Sequence, residues 1–65
     1  MINSTEPQHT LAEKTVDFLA STHAFREYLG KAPLLDAVLH HIPEHWHHFF
    51  HHRLTHYRNI YCPQG

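Results

Sequence analysis

The sequence predicts an all-α fold: three short-to-medium helices in a small bundle. Three observations point that way. Apolar residues recur at helical spacing, proline and glycine fall where helices would end, and no stretch alternates as a strand does. With 65 residues the chain holds a single domain, read as 1–65 with polar tails at 1–5 and 62–65. A domain this small buries only about 60% of the surface its unfolded chain exposes. Such cores usually gain from a disulfide, a metal or a partner chain. Cys62 is the only cysteine, which excludes an internal disulfide. A metal or a second chain remains, and an intertwined helical dimer is one form the second would take.

The first helix is expected over about 6–29. Thr5-Glu6-Pro7-Gln8 and Thr10-Leu11-Ala12-Glu13 each place a capping threonine three residues before Gln or Glu. Leu11, Phe18, Phe25 and Leu29 form an apolar stripe that Ala12, Val16 and Leu19 widen. Ser21-Thr22-His23 is the place where this helix would break in two. Gly30, with Pro33 behind it, is a left-handed stop. The second helix is expected over 33–42, with Pro33 in its first turn and Asp36 favouring its N-terminal dipole. Leu34, Leu35, Val38, Leu39 and Ile42 make it the expected most buried element. Pro43 ends it, because the residue before a proline is pushed out of the helical region.

The third helix is expected over 43–60, from Pro43-Glu44 onward. Projected at about 100° per residue, Trp46, Phe49, Phe50, Leu54, Tyr57, Ile60 and Tyr61 share one arc, with Arg53 inside it. His45, His47, His48, His51, His52 and His56 take the rest of the circumference.

Formal net charge is -1 with histidine neutral, which is no nucleic-acid footprint. Eight of the ten histidines lie between His40 and His56. Acidification therefore makes the C-terminal third cationic, and charged histidines one turn apart would loosen the third helix. Met1 to Gln8 lacks the basic-then-apolar order of a signal peptide, and no stretch is apolar enough to span a membrane. The lone thiol fits a reducing compartment. A cytoplasmic protein is expected, of the kind found among accessory proteins of bacteria, phages or mobile elements.

Four kinds of chemistry are open to such a chain. The first is docking. Trp46, Phe49, Phe50, Arg53, Leu54, Tyr57 and Tyr61 are of interface-enriched types, and two partner helices can hardly cover such a stripe. A homodimer or a complex with another protein is expected through it. Arg53 would stack on a ring or meet a carboxylate across that interface. The second is metal binding, the alternative reading, with zinc, nickel or copper on the i, i+4 pairs His47/His51 and His48/His52. One helix face supplies two ligands, whereas a structural zinc site needs four.

The third is nucleic acid. Leu29-Gly30 sits between two helices as in a helix-turn-helix unit. However, Arg26 and Lys31 occupy positions where that unit needs small and apolar residues, and the following helix has no basic side chain to read bases. A nucleic-acid-associated regulator using Arg53, Arg58 and protonated histidines is a further alternative. The fourth is catalysis. No phosphate loop or nucleophile motif is present, and neither an enzyme nor a small-molecule substrate is expected.

Overall fold

The computed structural model describes residues 7–62, with side chains from Ala12 onward. Its elements are α1 (Pro7–Leu29), α2 (Leu35–His40), a 3-10 turn (Glu44–Trp46) and α3 (His47–Tyr61). No strand occurs among the described residues. The protein is a small all-α fold.

Pro7 opens α1, where a missing N–H costs nothing because the first helical N–H groups have no partner anyway. Thr10 therefore lies inside the helix rather than capping it, and Thr5 falls outside the described residues. Ser21-Thr22-His23 does not interrupt the helix. Its end follows the expectation. Gly30 sits at φ 75°, its N–H donates to the Glu27 carbonyl at 3.0 Å, and the Lys31 N–H donates to the Arg26 carbonyl at 2.8 Å. These are the paired bonds of a Schellman cap, which need a left-handed residue at this position.

The second helix is shorter than expected. Leu34 is extended (ψ 138°), and its carbonyl takes the first bonds, from the N–H groups of Ala37 at 3.1 Å and Val38 at 3.3 Å. Leu34 is thus the cap, and Pro33 stands outside the helix. The expectation that this element is the most deeply buried fails, since none of its residues is buried. Six residues can lay only one edge on the core. Leu35, Val38 and Leu39 form that edge, while Leu34 stays 79% exposed.

The third helix also starts later than expected. After extended Pro43 the chain makes a 3-10 turn, in which the Trp46 N–H donates to the Pro43 carbonyl at 2.9 Å. The α-helix proper begins at His47.

The core lies between α1 and α3. Contacts of Asp17 with Arg53, Glu27 with Arg58 and Phe25 with Tyr61 advance together along both helices, so the two run parallel. The returning segment through α2 crosses between them. Val16, Ala20 and Ala24, spaced at i, i+4 and i+8, are buried against Phe50, Leu54 and Ile42. The alanines present only a methyl group, so Phe50 and Leu54 can be enclosed completely. Each such large side chain contributes about 1.5–3 kcal/mol.

Of the expected α1 stripe, Val16 and Leu19 face the core, whereas the bulky Phe18, Phe25 and Leu29 turn outward. Phe18 is 67% exposed, Phe25 43% and Leu29 50%. The helix carries two apolar stripes, and the one with small residues allows close packing, so the bulky one is turned outward.

The Gly30 cap yields a prediction. A Cβ at Gly30 would meet no atom within 4 Å, so replacement is penalised only through the backbone. Gly30→Ala should cost about 1–2 kcal/mol and lower the melting temperature by about 4–8 °C per kcal/mol, as read by circular dichroism.

Candidate interaction surface

The seven residues expected to dock have different fates. Phe50 and Leu54 are fully inside the core, which removes them from any surface. Trp46 and Phe49 are half-buried and meet edge to face, with ring centroids 5.4 Å apart at 72°. Trp46 also lines a groove of about 320 Å³ with Val16, Leu19, Ile42 and Pro43. Arg53, Tyr57 and Tyr61 are half-buried, and each is engaged by α1.

Three polar contacts tie the margins of α1 to α3. At the first, Arg53 Nε donates to Asp17 Oδ1 at 2.6 Å, and the Tyr57 hydroxyl donates to Asp17 Oδ2 at 2.8 Å. The Arg53 guanidinium also lies 5.2 Å from the Tyr57 ring centroid. The carboxylate and the ring expected for Arg53 are both found, and both belong to its own chain. At the second, the Tyr61 hydroxyl and Ser21 Oγ share a hydrogen bond at 3.3 Å. At the third, Arg58 grips Glu27 with two bonds of 2.7 Å. Buried His23 places its Nε2 3.2 Å from the same carboxylate. The geometry of planar guanidinium against carboxylate makes the Arg58 contact bidentate.

These contacts set the charge of both acids. Burial raises the Asp17 carboxyl, but hydrogen bonds from Arg53 and Tyr57, with the charges of Arg53 and His56, bring it below its ordinary 3.8. The Arg58 hydrogen bonds are the largest influence on Glu27. Against the opposing effect of burial, and with help from the charges of Arg58 and His23, they hold it below 4.5. Arg53 and Arg58, which the nucleic-acid alternative needs as bare cations, are both neutralised within the fold.

The histidines divide as well. His47 Nε2 donates to the carbonyls of Leu39 at 3.0 Å and Ile42 at 2.7 Å. It caps the end of α2, so this nitrogen is not available to a metal. His48, His51 and His52 are exposed on α3. Among the described residues no group of three or more His, Cys, Asp or Glu side chains could hold a metal ion.

What remains open is the outward face of α1. Phe18, Phe25 and Leu29 fall within an arc of about 40° on the helix, spread over about 16 Å. Tyr28 lies beside them, 59% exposed. Phe25 rests edge-on against Tyr61, centroids 5.3 Å apart, which joins the stripe to the end of α3. Sequence reasoning noted Phe18, Phe25 and Leu29 as the apolar stripe of this helix but did not single them out as an exposed face. It missed Asp17, Ser21 and Glu27 as contacts to α3. Their spacing along one side of α1 was the available signal.

Comparison with known proteins finds close relatives. The chain is 44% identical over 54 residues to YibT of Salmonella typhi, a match spanning 83% of this chain and 79% of the relative. It is equally similar over the same length to YibT of Escherichia coli (strain K12) and of Shigella sonnei, covering 78% of each. No protein-family model matches the chain, and no solved structure does. Among the described residues no helix is long and apolar enough to cross a membrane.

The two acidic clamps predict an acid limb in stability. A carboxyl lowered on folding stabilises in full above its unfolded value and loses that contribution as pH falls through its folded value. The loss should therefore set in below about pH 4.5 for Glu27 and below about 3.8 for Asp17. Denaturant unfolding at stepped pH should show Asp17→Asn and Glu27→Gln less stable than the parent at neutral pH, with the gap closing in acid. The exposed Glu27–Arg58 pair should account for roughly 0.2–1 kcal/mol.

Proposed function

We propose that this chain, a member of the YibT family, is a non-catalytic helical interaction protein that works by docking an aromatic helix face on a partner protein or on its own copy. The observation that carries this reading is the outward stripe Phe18, Phe25 and Leu29. Bulky apolar side chains aligned on one rigid helix, in a chain of 65 residues, form a patch that a monomer gains nothing by exposing. Their spacing of i, i+7 and i+11 suits helix-in-groove recognition, where side chains one or two turns apart act as anchors.

The docking face expected from the sequence thus moves from α3 to α1, with Tyr61 at its edge. A regulatory role in the cytoplasm suits a protein with such a stripe.

The proposal predicts a separation of folding from association. Phe18→Ser combined with Phe25→Ser should leave the far-ultraviolet circular dichroism spectrum intact, because both side chains point outward. Sedimentation of the parent chain at micromolar concentration, alone and in pull-downs, should show self-association or a retained partner, and the double variant should lose it. A monomeric parent that retains nothing, or a double variant that associates as the parent does, would contradict the proposal.

A further inference from the structure

The fold sorts the charges of α1 by face. The carboxylates of Asp17 and Glu27 turn toward α3, where arginines neutralise them. Glu13 lies on the same side, lining a cleft with Lys14, Asp17, Phe49 and Arg53. Arg26 and Lys31 go the other way, and Lys14 stands between that cleft and the near border of the outward stripe. Lys14 and Arg26 flank the Phe18–Leu29 stripe on opposite sides, and Lys31 follows its end. All three are exposed, and none has an ion pair among the described residues. No described carboxylate of α1 falls on this outward half of the helix.

We infer that the outward face of α1 seats in a groove of another protein, one with an apolar floor and a rim of Asp or Glu side chains. This rests on the docking reading above and names its partner. The floor would receive Phe18, Phe25 and Leu29, and the rim would meet Lys14, Arg26 and Lys31. Charge argues against a second copy of this chain as occupant. Two such faces brought together would oppose their cations with no described carboxylate on either stripe to offset them. Width argues against a lipid surface. A helix that lies in a membrane interface exposes a broad apolar sector, whereas this stripe spans only about 40° and has Thr15 and Thr22 on its border. A narrow line of anchors with cationic shoulders fits a groove.

The test uses the full chain in its native cells, with Phe18 or Phe25 replaced by photoreactive p-benzoylphenylalanine. A third chain carries the probe in place of His52, on the exposed side of α3. The expected result is the same heterologous protein adduct from positions 18 and 25 and none from position 52. The adducted protein is then purified and titrated with the unmodified chain. Lys14→Glu combined with Arg26→Glu should weaken binding by about tenfold or more, and added salt should weaken the parent complex.

An adduct between two copies of this chain, or to lipid, would overturn the inference. The first of these would still leave the broader docking proposal standing. Absence of any adduct, or unchanged affinity after charge reversal, would also overturn it. The sedimentation experiment on the parent and its Phe18→Ser/Phe25→Ser variant decides the broader proposal separately.

Discussion

Ala20 and Ala24 offer α3 nothing larger than a methyl group, and the close approach this permits is what lets Phe50 and Leu54 disappear between the two helices. The rest of the structure depends on that contact. A six-residue α2 that buries none of its residues can only close one side of the core. Holding a chain this small together falls to the α1–α3 pair, and large side chains on the facing side of α1 would hold the helices apart. Phe18 and Phe25 are therefore turned outward, since both stripes of one helix cannot face the same neighbour.

The parallel course of α1 and α3 explains the polar margins. Side-by-side parallel helices align their dipoles unfavourably, and specific cross-links along the seam offset this. Asp17 with Arg53 and Tyr57, Ser21 with Tyr61, and Glu27 with Arg58 lie along it. Each is a surface or half-buried contact of modest worth, but together they fix the register of the pair. They also draw the described acids of α1 to one side, away from its outward stripe. Packing and surface charge are thus two consequences of a single choice of helix face.

Much of this was legible in the sequence. Gly30 announced its left-handed cap, Pro43 marked the start of the last helical segment, and the 100° projection of α3 placed Phe50 and Leu54 within the apolar arc. The fold class followed from those features. The face of α1 did not, because hydrophobicity favoured Phe18 and Phe25, whereas steric closeness favoured alanine. Periodicity alone does not rank two stripes on one helix. The role of His47 was hidden for another reason. Its acceptors, the carbonyls of Leu39 and Ile42, come within reach only through the 3-10 turn that precedes it. The partners of Arg53 and Arg58 lie more than thirty residues away in sequence, and only the tertiary arrangement shows them.

The most direct test of the account is the set of nuclear Overhauser contacts in solution between α1 and α3. The packing described here requires cross-peaks from the Ala20 and Ala24 methyl groups to the Phe50 ring and the Leu54 methyls, with none from the Phe18 ring to any residue of α3. Cross-peaks from Phe18 to Leu54 or Phe50, with the alanine methyls facing solvent, would contradict it and return the bulky stripe to the core.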